Sequence, residues 1–226
     1  MESVISRQST SRSMTTTWTR ALLAGGVVAG PLFTVVGLIQ VFTRPGFDIR
    51  HHALSVLETG DLGWIQMSSF VITGLLFVGC ALGMRTVMRN SRGGTWGPLL
   101  VGVFGVGMIG AGLFTADPAF GFPPGTPPEV NTISWHGIVH LSIATVGFAA
   151  LIAAGFVWMR RFAAQGRQGW AAYSAVTAVA FFVSFAGLAS GQLVLTPAFV
   201  VTALNAFLWV SVLATKLLTE ESRAAV

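Results

Sequence analysis

Six apolar runs, at 21–42, 64–84, 96–115, 135–158, 170–188 and 193–215, constrain this chain more than any other feature. Each is close to the roughly 20 residues a helix needs to cross a hydrocarbon core. No Asp, Glu, Lys or Arg lies in the middle of any of them. In lipid every backbone polar group has to be satisfied within the segment, so runs of this length fold as helices. With 53% hydrophobic and 9% charged residues and a mean hydropathy of +0.73, the chain is too apolar for a soluble domain. The expectation is an all-α polytopic membrane protein with six transmembrane helices.

The ends are read from composition. Residues 1–19, rich in Ser, Thr and Arg, have little to bury and are expected as a disordered cytoplasmic tail. The six-helix domain covers 20–216, and 217–226 is a second cytoplasmic tail. The run at 21–42 is longer than the roughly 7 to 15 apolar residues of a signal peptide, and no small-residue cleavage site follows it. Pro31 removes one helical hydrogen bond there and predicts a kink, with neighbouring helices satisfying the freed carbonyl. Trp64, Trp96, Trp135 and Trp170 open four runs and Trp158 closes one, the pattern of an interfacial belt. Gly26 with Gly30, Gly79 with Gly83 and Gly187 with Gly191 are small pairs four apart that let helices approach closely. The single cysteine, Cys80, excludes a disulfide framework or a Cys-based metal site and reads as a small packed residue.

The net charge of +5 does not point to nucleic acid, because the arginines sit in short clusters between runs with no aromatic-interleaved basic face. They set direction instead. With a cytoplasmic N-terminus, eleven of the 13 basic residues fall inside, and only Arg44 and Arg50 fall outside. That bias predicts both termini in the cytoplasm. Asp48, Glu58, Asp61, Asp117, Glu129 and all four histidines then share the outer side.

Trp135-His136-Gly137-Ile138-Val139-His140 places two imidazoles one helical turn apart, on one face, where a long apolar run begins. Two such rings can bind Zn²⁺, and a third ligand from His51, His52 or Asp117 would leave a position for an activated water. Gly137 stands where a zincin motif needs its Glu base, so a base would come from Glu58, Asp117 or Glu129. The plainer roles are an interfacial His136 bonded to a loop carbonyl and a His140 that makes a polar helix contact.

The first outer loop reads as a short interfacial helix with His51, Ser55 and Glu58 on one face, opposite Ala53, Val56 and Leu57. A Ser, a His and an acid on one face are the components of a hydrolase triad, and equally of any solvated helix face. Gly60 supplies a stop and Asp61 a cap for the second span. The second outer loop, 116–129, holds five of the nine prolines. It is stiff, and with Phe120 and Phe122 it can cover the bundle mouth or serve as a rigid connector. Asp117 starts an Asx-type turn or contributes to a site. Asn205 reaches the same cavity or hydrogen-bonds a neighbouring helix.

His51-His52-Ala53-Leu54-Ser55 with Gly63-Trp64-Ile65-Gln66, then Asp117-Pro118 with Gly121-Phe122-Pro123-Pro124-Gly125-Thr126-Pro127, then Ser134-Trp135-His136-Gly137 with His140, together resemble the bacterial six-helix membrane family catalogued as domain of unknown function 998. The resemblance runs from the first helix to the sixth and implies fold and location in the bacterial plasma membrane. A weaker similarity is to membrane hydrolases of the ceramidase and adiponectin-receptor superfamily, which hold zinc with a Ser, a His, an Asp and an HxxxH pair. It implies matching parts for Ser55, His51 or His52, Asp117, His136 and His140. The chain departs from that pattern in having six helices, in carrying the paired histidines on the fourth, and in placing the serine after the histidine.

Three functions remain open from the residues. One is a non-enzymatic transporter, sensor or accessory module whose outer histidines respond to protons or metal ions. Another is a zinc-dependent hydrolase of lipid or another amphiphile at the outer leaflet, using Ser55, Glu58 or Asp117. The third is a redox protein with haem held by histidines from separate segments.

Overall fold

The computed structural model describes residues 2–129 and 133–224, with side chains over 17–129 and 133–223. It is all-helical: α1 (Glu2–Thr43), α2 (Gly63–Val87), α3 (Trp96–Leu113), α4 (Trp135–Ala164), α5 (Gln168–Ala189) and α6 (Thr196–Ala224), with short 3-10 turns at Leu54–Glu58 and Leu193–Leu195. Six segments are long and apolar enough to cross a membrane. The chain is therefore a multi-pass membrane protein. The first helix begins at Glu2, ahead of its apolar span at Thr17–Thr43, so positions expected as a tail continue the helix. At the other end α6 likewise runs through 217–224, and positions 225–226 lie outside the described residues.

Each helix packs against its neighbours in sequence, and α6 returns to α1, which closes a ring. Small residues set the spacing. A Cβ on Gly26 would overlap Cys80 Sγ, and one on Gly30 would lie 2.7 Å from the Phe207 carbonyl oxygen, so α1 touches both α2 and α6 at these positions. Gly79 and Gly83 receive Leu22 and Leu23 of α1. Gly187 and Gly191 do not act as such a pair, because α5 has already ended at Ala189 and Gly191 is a turn residue at φ +88°. Near Pro31 the Ser211 hydroxyl of α6 donates to Gly26 O at 2.7 Å and accepts from Gly30 N–H at 3.0 Å. A neighbouring helix thus supplies polar partners in the turn before the proline.

Inside the ring, Phe33, Phe70, Phe77, Phe104 and Phe207 pack edge-on or tilted at centroid distances of 4.9 to 6.3 Å and fill mid-depth. Trp64, Trp96 and Trp135 are exposed at helix starts, as an interfacial belt requires. Trp158 is not part of it: only 1% exposed, it turns inward against Phe162 and Gly97. Alternation of six helices leaves two ends. One carries all four histidines and the loop residues 44–62 and 114–129. The other carries Arg20, the 88–95 and 165–167 connections, and the Arg167–Glu220 and Lys216–Glu220 ion pairs.

Candidate functional site at the histidine end

The long loops of the histidine end are ordered by hydrogen bonds that the sequence does not announce. Arg44, the residue after α1, is only 8% exposed and reaches across the first loop. Its guanidinium donates to Leu57 O at 3.3 Å and Thr59 O at 2.7 Å, with its carbon 5.2 Å from the centre of the Phe122 ring. Those two carbonyls flank Glu58, so Arg44 fixes the turn that presents it. Burial lowers the Arg44 pKa from its ordinary value, with Asp61 opposing the shift. Gly60, at φ +74°, lets the chain leave that turn, as expected. Asp61 does not cap α2: the cap position is Leu62, which has no side-chain bond.

His52 joins the two loops. The Asp48 backbone N–H donates to His52 Nδ1 at 2.9 Å, and Nε2 faces Phe120 O at 3.1 Å. A backbone N–H only donates and a carbonyl only accepts, so Nδ1 is bare and Nε2 carries the proton. Both nitrogens are engaged. His51 stays exposed, its Nδ1 4.0 Å from the Asp48 carboxylate. Arg50 holds that same carboxylate at 2.6 Å and keeps its pKa well below the usual range.

The loop at 116–129 packs against the first loop. Phe122 is fully buried against Phe47 and His52, while Phe120 stays partly exposed at φ +51°. Asp117 lies at the start of α4, where its carboxylate accepts from Ser134 N–H at 2.9 Å. Ser134 is the N-cap, its hydroxyl accepting from Gly137 N–H at 3.0 Å and lying 2.7 Å from His136 Nδ1. A Cβ at 137 would overlap the Asp117 carboxylate, so glycine there lets that side chain reach Ser134. Gly137→Ala is expected to displace Asp117, free Ser134 N–H and lower stability by about 1–3 kcal/mol. Thermal unfolding in detergent reads this, and an unchanged melting temperature would show that the Asp117 contact is idle.

One turn deeper, His140 is 3% exposed. Its Nδ1 lies 2.8 Å from Phe114 O and 3.1 Å from Ala111 O, the carbonyls at the end of α3, so Nδ1 carries the proton. Glu58 Oε2 stands 3.5 Å from the same nitrogen and accepts from Ala116 N–H at 2.9 Å. The Glu58 side chain has no exposed surface, and burial pushes its pKa up to about 8 while the hydrogen bond from Ala116 N–H lowers it. The sequence pairs Glu58 with His51 on an interfacial helix. In the structure that helix is a single 3-10 turn over Leu54–Glu58, which His51 precedes, and Glu58 points inward to His140. Three residues per turn align Ser55 with Glu58 but leave His51 out of line.

Ser55 and His140 border two cavities. A vestibule of about 310 Å³ lies outward, between His51, Asp117, Phe120 and Thr196. A chamber of about 150 Å³ lies inward, walled by Phe33, Phe70, Phe104, Phe148, Phe199 and Phe207. Beside them α1 and α2 carry a buried polar row. Gln40 Nε2 donates to Gln66 Oε1 at 2.7 Å, and Ser69 and Thr73 continue along the same face of α2 for about 10 Å. Gln40 Oε1, Glu58 Oε1, Gln66 Nε2, Ser69 Oγ and Thr73 Oγ1 have no partner, five of the six such buried atoms among the described residues. Exchanging N and O in both amides only moves the lone groups. Elsewhere helical hydroxyls such as Thr34, Thr86, Ser142 and Thr145 bond back to the carbonyl four residues earlier. Ser69 and Thr73 do not, so this row suits bound water or a polar ligand. No histidine motif marks it; the only sequence signal is Gln, Ser and Thr at helical spacing inside an apolar run.

Among the described residues no three His, Cys, Asp or Glu side chains gather around a place for one metal ion. His51, His52, Asp117, His136 and His140, expected as a shared ligand set, are distributed over separate contacts, and His52 has both nitrogens committed. Ser55 shares no hydrogen bond with His51. Glu129 is exposed. Asn205 donates to Thr177 Oγ1 at 3.1 Å and so serves helix packing.

No curated protein and no solved structure matches the chain. A family described as a protein of unknown function, DUF998, matches residues 27–216, which covers the second to fifth spans in full, the first from residue 27 and the sixth as far as 216. On that match this six-helix membrane protein belongs to the DUF998 family.

Proposed function

We propose that this protein is a proton-responsive transporter or sensor that takes a small amphiphile at the histidine end, which faces outward from a bacterial plasma membrane. The outward placement rests on the basic bias, with Arg85, Arg89, Arg92, Arg160, Arg161, Arg167, Lys216 and Arg223 at the opposite end. The single observation that carries the reading is the buried Glu58–His140 contact, with its imidazole lining both a phenylalanine-walled chamber and the vestibule outside it. An alkyl group fits the chamber and a hydroxyl or amide fits the junction at Ser55 and His140. Glu58, with a pKa of about 8, changes charge within reach of neutral pH, and its Oε1 has no partner, which leaves an acceptor for the water that the ionised form requires.

The test is equilibrium binding of tritiated 1-decanol, neutral at every pH used, to protein in nanodiscs at pH 6 and pH 9. Binding is expected to be several-fold tighter at pH 6, and Glu58→Gln is expected to bind equally at both. Absence of saturable binding would sink the amphiphile reading, and a pH effect that survives in Glu58→Gln would remove Glu58 from it.

A second reading has one observation in its favour: Glu58 stands 3.5 Å from His140 Nδ1, and Ser55 borders the same two cavities as His140, so the residue types of an acid, a base and a nucleophile are gathered at one place. An acyl ester bound with its chain in the chamber would then be the substrate. Covalent labelling by a fluorophosphonate that disappears in Ser55→Ala would favour this hydrolase over the transporter.

A further inference from the structure

The arginine end carries a feature unrelated to the histidine-end site. The short helix α3 has glycines at 102, 105, 107, 110 and 112, and they draw it inward. A Cβ on Gly74 would lie 2.6 Å from Gly105 O, and one on Gly107 would lie 3.1 Å from Gly147 Cα. With α2 and α4 in backbone contact on either side, the lipid-facing surface over α3 is a furrow of about 740 Å³. Leu82, Leu99, Val106 and Val146 form its apolar walls, and Arg85 and Thr95 stand at its mouth. From Thr95 to Gly107 it runs about 18 Å at 1.5 Å per residue. One leaflet is about half of the roughly 30 Å hydrocarbon core, so the furrow is about as long as one acyl chain is deep.

Charge at the mouth selects the headgroup. Arg85 makes one hydrogen bond, from Nη1 to Gly94 O at 3.1 Å, and its stem lines the furrow. Arg89 and Arg92 follow on the connection after α2, both exposed. Among the described residues none of the three has an acidic partner; the ion pairs at this end belong to Arg167, Lys216 and Glu220. The exposed Trp96 beside Thr95 marks the interface level.

We propose that this furrow seats one acyl chain of an anionic phospholipid whose phosphate is held at Arg85. The experiment is native mass spectrometry of the full chain from detergent micelles containing equal phosphatidylglycerol and phosphatidylcholine with identical chains. One retained lipid is expected, predominantly phosphatidylglycerol, and Arg85→Ala should lower that adduct about fivefold. Gly102→Leu should lower both lipids, because a Cβ at 102 meets only Ala81 Cβ, at 3.4 Å, and the added bulk turns into the furrow. If that variant does not fold, Val106→Trp, at a position 60% exposed, fills the furrow one turn further along α3. Equal retention of the two lipids, or retention indifferent to both fillers, would overturn the proposal. The decanol measurement is independent of it, since no residue is common to the furrow's mouth and the Glu58–His140 site.

Discussion

Glu58→Gln is expected to abolish a loss of stability that the native protein suffers as pH rises. The folded-state pKa is raised from 4.5 to about 8, chiefly by burial. Between those values the folded chain holds a proton that the unfolded chain has released, so stability falls as pH increases through this window. Above about 8 the folded carboxyl also ionises and the full cost is present; below about 4.5 both states are protonated and there is none. At about 1.4 kcal/mol per pH unit the cost reaches several kcal/mol. Glutamine keeps a carbonyl oxygen for Ala116 N–H and carries no charge at any pH. Melting temperatures in detergent should therefore coincide for the two proteins near pH 5 and separate by pH 9, the variant being higher. Parallel pH profiles would mean that Glu58 is not the buried acid described here.

Arg44→Met is expected to give the largest loss of stability at fixed pH. The substitution keeps much of the apolar stem and deletes the guanidinium, which leaves Leu57 O and Thr59 O without their donor. Hydrogen bonds from charged donors contribute about 1.5–3 kcal/mol each. Against this stands the cost of burying the charge, which the variant escapes. A net loss on the order of 3 kcal/mol follows, with the contact to Phe122 also removed. Arg44→Lys should recover only part of it, because an ammonium cannot span two carbonyls with a planar fork. Thermal unfolding measures the loss, and faster amide exchange at Glu58 and Thr59 would show that it centres on this turn. A methionine variant as stable as the native chain would make the clamp incidental, and Glu58 would then owe its position to Ala116 and His140 alone.

The membrane plan was legible because lipid imposes it residue by residue. Length and apolarity define six spans, alternation puts His51, His52, His136 and His140 at one end, and Trp64, Trp96 and Trp135 mark helix starts, all without knowledge of which helix touches which. Gly60 was legible for a similar local reason. Periodicity also placed His136 and His140 on one face, but it could not choose their partners. The rotation of α4 against α3 decided that His140 meets Phe114 O, Ala111 O and Glu58, while helix capping took His136 to Ser134. The path of the proline-rich loop decided that Phe120 O, not a metal, receives His52 Nε2. Trp158, placed at the interface by its position in the run, faces inward because Gly97 leaves room for an indole on that side of α3.

By itself the sequence determined the spans, the grouping of polar residues at one end and the residue types available there, since these depend on the energy of single segments in lipid. Tertiary structure alone decided that Arg44 grips the turn bearing Glu58, that Glu58 and His140 meet across 82 positions of chain, and that Gln40, Gln66, Ser69 and Thr73 form one buried row. Those contacts depend on how helices rotate and how loops return, and a buried polar group takes whatever partner packing brings within about 3 Å.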